Sequence, residues 1–91
     1  MALRWTASAN RDLVRLHGFL ESVDHRAAVR AVRRILAGVR QLGRHPRLGA
    51  RVPGFEPREV RRLIAGDHEL RYELRDGDLS ILRIWHVHED R

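Results

Sequence analysis

The chain has no cysteine and no lysine among its 91 residues, and only three prolines. Without cysteine there is no disulfide framework, no thiolate chemistry and no Cys-ligated zinc. Long apolar runs are missing too, and Met1-Ala2-Leu3-Arg4 passes straight into patterned sequence, so no cleavable leader is expected. The expectation is a cytoplasmic protein with no membrane association. The length allows one domain, residues 1–91, with a small core that buries about 60–65% of the surface exposed by the unfolded chain.

What is present is charge of one sign. Eighteen arginines face twelve acidic residues, giving a formal net charge of +6 and a sequence pI near 11.5. Arginine stays charged and grips carboxylates or phosphates with a planar fork. A basic small domain implies an anionic partner, either nucleic acid or an acidic protein segment. A GC-rich genome accounts for the missing lysine equally well, but it leaves the charge excess unexplained.

The clearest pattern lies near the end. From His68 to Arg75, Leu70, Tyr72 and Leu74 alternate with Glu69, Arg71, Glu73 and Arg75, the period of a strand with one buried face. Asp76-Gly77 suits a tight hairpin turn. The return strand from Leu79 to Val87 is apolar on both faces, and Arg58 to Ile64 reads as a further strand. Upstream, Leu3 to Thr6 reads as an edge strand, followed by a helix capped by Thr6 or Ser8. Ala9, Leu13, Leu16, Leu20 and Val23 form its apolar stripe, interrupted by the weakening Gly18. Asp24 caps a second helix with Ala28, Val32, Ile35, Val39 and Leu42 on one stripe and Leu36 widening it. Arg26, Arg30, Arg33, Arg40 and Arg44 occupy the opposite face. Gly43 fits a left-handed helix stop before Pro46. A loop follows to Pro57, long enough to suggest a role of its own. The order is strand, helix, helix and three strands: an α+β fold with a helical hairpin on a mostly antiparallel sheet.

Trp5 with Ala9, Asp12 and Leu13, the arginine-rich helix, His45-Pro46-x-x-Gly49, Arg58-Glu59-Val60, Leu70-Arg71-Tyr72 and Ile81-Leu82-Arg83-Ile84-x-His86 together resemble the RelE/ParE toxin superfamily. The resemblance implies a β-α-α-β-β-β toxin of a bacterial type II toxin–antitoxin module. It also implies neutralisation by a cognate acidic antitoxin in a hetero-oligomer, with no cofactor. RelE-type members cut messenger RNA on the ribosome, whereas ParE-type members poison DNA gyrase. RNA cleavage needs a base, an acid and cations for the phosphate. In RelE-type members a basic residue commonly precedes the aliphatic-x-Tyr of the middle strand; here that residue is Glu69, which would repel a phosphate. The expectation is therefore the ParE-like branch, which needs no catalytic residues.

Under the ribonuclease alternative, His86 and His88 with Arg61 and Arg71 are the candidate catalytic residues, since histidine titrates near neutral pH. The plainer reading makes both histidines ordinary polar residues at a strand end. His-x-His with His68 or Asp90 offers metal ligands on paper, but strand ends commonly carry such residues without metal, and none is expected. Candidates for target binding are Arg58, Arg61, Arg62, Arg71, Arg83 and Arg91. Candidates for antitoxin binding are Trp5, Leu16, Phe19, Arg30, Arg33, Leu82 and Ile84, with Trp85 assigned to the core. The arginine stripe of the second helix is most simply a solvated face, open to an acidic antitoxin tail or to nucleic acid. A third reading is a non-toxic basic binding homologue. The sheet register stays open: a two-residue turn puts His86 and His88 opposite Tyr72, and a three-residue turn puts them on its side.

Overall fold

A computed structural model describes residues 1–88. Strand β1 (Leu3–Trp5) leads into helix α1 (Ala7–Val23), helix α2 (His25–Arg44), and strands β2 (Ala50–Arg51), β3 (Glu59–Ala65), β4 (His68–Arg75) and β5 (Asp78–His86). The sheet order is β1-β5-β4-β3-β2; every pairing is antiparallel except β1 with β5. Both helices pack on one face of the sheet, α1 mainly on β5 and α2 on β3 and β4.

Local chemistry sets the element ends. Thr6 Oγ1 accepts from the Ala9 N–H at 3.0 Å, so Thr6 and not Ser8 caps α1. Asp24 caps α2 by accepting from the Arg26 N–H at 2.9 Å. Helix α2 runs through Gly43 to Arg44 and stops at His45, whose N–H donates to the Gln41 carbonyl. The left-handed stop expected at Gly43 is absent, and Pro46 marks the end instead. The long loop also contains a strand: Ala50 and Arg51 pair with Arg62 and Arg61, adding a fifth strand to the four expected.

Ala9, Leu16, Ile35, Val39, Leu42, Leu70, Tyr72, Leu79, Ile81 and Ile84 form the core between helices and sheet. Two residues of the expected helical stripes are exposed instead. Val23, in the last turn of α1, is 73% exposed, and Leu36 lies at the rim of α2. Gly38 lets α2 approach the sheet closely, because a Cβ there would lie 3.1 Å from Leu70 Cδ1 and 3.2 Å from Ala65 Cβ.

The Asp76-Gly77 turn has two residues, both at positive φ, and Arg75 faces Asp78. Tyr72 faces Ile81 as the two-residue turn requires, but Arg71 then faces Arg83, leaving Leu82 as the extra residue of a β-bulge. Beyond the bulge every side chain changes face. Ile84 pairs with Leu70 in the core, so it is not the exposed sheet-face residue expected from sequence. Trp85 pairs with Glu69 on the outer face, so it is not core. His86 pairs with His68 on the Tyr72 side, the outcome expected for a three-residue turn but reached through a bulge.

Candidate functional site

The outer sheet face, away from the helices, is built from the polar side of the β4 alternation. Arg71 and Arg62 sit opposite one another on β4 and β3, and Arg83 flanks Arg71 on β5. Loop residue Phe55 and strand residue Trp85 interleave with these cations. The Arg71 guanidinium carbon is 4.7 Å from the Trp85 ring centre and 5.9 Å from that of Phe55. Arg83 stands 5.1 Å from Trp85, and Arg58 5.8 Å from Phe55. The result is a row of alternating guanidinium and aromatic groups, Arg58, Phe55, Arg71, Trp85 and Arg83, each contact favourable between cation and ring face.

The same cations are matched by carboxylates. Glu69 is 1% exposed, receives Arg71 Nη2 at 2.8 Å and lies 3.7 Å from Arg62 Nη1. Glu73 receives Arg58 through two bonds of 3.0 Å, and this guanidinium holds its carboxyl below the ordinary range. Arg83 donates twice to Asp12 of α1, at 2.8 and 3.1 Å. Asp12 also accepts the Ile84 N–H at 2.9 Å. Burial pushes its pKa up, but the bonds from Arg83 and Ile84 outweigh burial and leave it lowered. These contacts serve the edge of β5 beyond the short β1, where Thr6 Oγ1 also donates to the Leu82 carbonyl. A buried backbone group needs such a partner, and α1 supplies it. In the sequence Asp12 is one position of a longer pattern; its role follows from the bulge, which brings the Ile84 N–H and Arg83 to it.

Arg61 lies on the opposite, helix-side face, facing Tyr72. It donates to Glu59 at 2.8 Å and to the Gly49 carbonyl at 2.7 Å. Arg47 chelates the same Glu59, and the two cations lower its pKa. Beside them Tyr72 donates to the Pro46 carbonyl at 2.7 Å and accepts the Gly49 N–H at 2.9 Å. Burial pushes the Tyr72 hydroxyl up, against the Gly49 bond. Arg61 is thus a brace for the 46–49 loop.

His68, His86 and His88 gather at the far end of the sheet on the helix side. Ring centres are 5.4 Å apart for both His68–His86 and His86–His88. His88 follows β5 in a turn and points its N–H at His86 Nδ1, 3.1 Å away. With Arg15, Leu16, Phe19 and Leu20 the three rings line a cavity of about 610 Å3. Phe19 is 69% exposed at its mouth. The four residues grouped from sequence as a ribonuclease site therefore do not meet: Arg71 faces outward, Arg61 braces a loop, and the histidines flank α1. Among the described residues no group of three His, Asp or Glu is arranged to hold a metal ion. Of the expected antitoxin contacts, Leu16 and Phe19 share this cavity, Arg30 lines a smaller neighbouring one, and Arg33 is exposed on α2. Trp5 packs against the core and Ile84 is enclosed in it. Leu82 is half-buried at the bulge. Arg91 lies outside the described residues. Among the described residues no helix is long and apolar enough to cross a membrane.

Residues 3–91 match the family model described as the ParE toxin of the type II toxin–antitoxin system parDE. Among solved structures, the chain is similar to one from the chromosomal ParDE TA system of P. aeruginosa. The TM-score is 0.77 at 27% identity, covering 94% of this chain and 95% of that one. It is also similar to a chain of the RelBE2 toxin–antitoxin complex from Mycobacterium tuberculosis. There the TM-score is 0.60 at 25% identity, covering 93% and 88%. No curated protein matches the chain.

Proposed function

Since the chain belongs to the ParE toxin family of type II toxin–antitoxin systems, we propose that it arrests growth by inhibiting DNA gyrase without cutting RNA, and that a cognate antitoxin neutralises it. The observation that carries this reading is Glu69. It lies on the outer face of the central strand β4, buried between Arg62 and Arg71. A nuclease working on that face needs cations directed at a phosphate, together with a base. Here Arg58, Arg62, Arg71 and Arg83 each have a carboxylate partner. The histidines stand on the other face of the sheet.

The neutralised cation–aromatic row is instead a protein-binding surface, rich in the arginine and tryptophan that anchor interfaces. Arg58, Arg62, Arg71 and Arg83 remain the candidates for target contact, and Trp85 joins them. The cavity of Leu16, Phe19 and Leu20 offers apolar anchorage to an antitoxin segment that folds on binding.

Expression without the antitoxin is expected to stop growth with DNA damage while messenger RNA stays intact. Co-expression of the protein encoded by the adjacent reading frame should restore growth. Rapid loss of messenger RNA with undamaged DNA would overturn the reading. His86→Ala and His88→Ala are expected to kill as the parent does.

A further inference from the structure

The charge of this protein is concentrated in one element. Six of the eighteen arginines lie on α2 (Arg26, Arg30, Arg33, Arg34, Arg40 and Arg44), and α2 contains no acidic residue. The other twelve arginines are equalled by the chain's twelve acidic residues, so the whole net charge of +6 resides on this helix. The pairing pattern agrees. Nine arginines outside α2 have a carboxylate partner among the described residues. None of the six on α2 has one there.

At 3.6 residues per turn the six fall within about 120° of arc, and from Arg26 to Arg44 the stripe runs about 27 Å. Its residues are exposed, and between them the arc holds Ala37 and Gln41. Large apolar side chains are absent from the arc. An acidic peptide that folds on binding needs apolar anchors to offset its loss of entropy. Beside this face α2 offers only Leu36, 38% exposed, and the larger apolar surface lies elsewhere, around Phe19. A ligand recognised by α2 must therefore be rigid, regularly charged and long, which describes a phosphate backbone.

We infer that the arginine face of α2 binds the phosphate backbone of duplex DNA, independently of sequence. Arg30 and Arg33, placed by sequence among the antitoxin contacts, belong to this face. The inference does not depend on the gyrase reading, and its test contains no gyrase.

Fluorescence anisotropy with a labelled mixed-sequence duplex of about two helical turns, titrated with the full chain across a salt series, measures the contact. Binding is expected to weaken with salt at a log–log slope near −5, about −0.9 per phosphate neutralised. The triple variant Arg30→Gln, Arg33→Gln, Arg40→Gln should make the slope shallower by about 3 and lower the affinity at least about tenfold. Arg11→Gln, Arg51→Gln, Arg75→Gln removes the same charge from exposed positions elsewhere and should change the slope by less than about 1. Circular dichroism verifies that both triple variants fold. Equal effects of the two variants would overturn the assignment to α2. So would tighter binding to a glutamate-rich peptide or to single-stranded RNA, or no salt-dependent binding to the duplex.

Discussion

Gly49 and Tyr72 show how closely single positions are constrained here. A Cβ on Gly49 would lie 2.4 Å from the Arg62 carbonyl oxygen and 2.8 Å from the Tyr72 hydroxyl, inside any tolerable contact. The glycine of His45-Pro46-x-x-Gly49 is thus required by close approach. Gly49→Ala is expected to cost about 1–3 kcal/mol through overpacking. Tyr72→Phe removes the acceptor for the Gly49 N–H and the donor to Pro46, and should cost about 1–3 kcal/mol. Urea denaturation of each variant checks both, and an unchanged midpoint for Tyr72→Phe would refute the anchoring role. At Asp12 the carboxylate satisfies Arg83 and the Ile84 N–H together. Asp12→Ala should lose about 2–3 kcal/mol, and Asp12→Asn less, since the amide oxygen can still accept the Ile84 N–H. Equal losses for the two would place the role in charge alone.

Among the elements, β5 explains what was readable from sequence and what was not. Both helices, their Asp24 cap, the Asp76-Gly77 hairpin and the inward face of β4 follow from residue spacing and turn chemistry, which are local. The bulge at Leu82 arises where β1 ends and α1 takes over the edge of β5, a nonlocal arrangement with no local signature. Its consequence is that Ile84 and Trp85 exchange the faces that simple alternation assigns to them. Strand β2 was hidden for a similar reason, since two residues in a loop carry no period. The candidate site was legible in its composition, Glu69 between arginines, but not in its membership. Phe55 comes from the loop, Trp85 from the far side of the bulge, and Arg61 leaves for the opposite face. The bulge predicts a contrast. Ile84→Ala should destabilise by about 2–4 kcal/mol and Leu82→Ala by less than about 1 kcal/mol. The reverse order in thermal or urea unfolding would contradict this register.

For the whole molecule, acid sensitivity follows from the way arginines are neutralised. Asp12, Glu59 and Glu73 all have folded pKa values below their ordinary 3.8, 4.5 and 4.5. Depressed carboxylates contribute stability that is complete above those ordinary values and lost as pH falls through the folded ones. The contribution of these three carboxylates should therefore be complete above about pH 5 and be lost below about pH 4, as read by the urea midpoint. Asp12→Asn should remove part of that loss. The central claim concerns what the carboxylate-paired outer face does. Its most direct test adds the purified chain to two assays in parallel: supercoiling of relaxed plasmid by DNA gyrase, and cleavage of messenger RNA on translating ribosomes. The account predicts loss of supercoiling with intact messenger RNA. Cut messenger RNA with undisturbed supercoiling would contradict it.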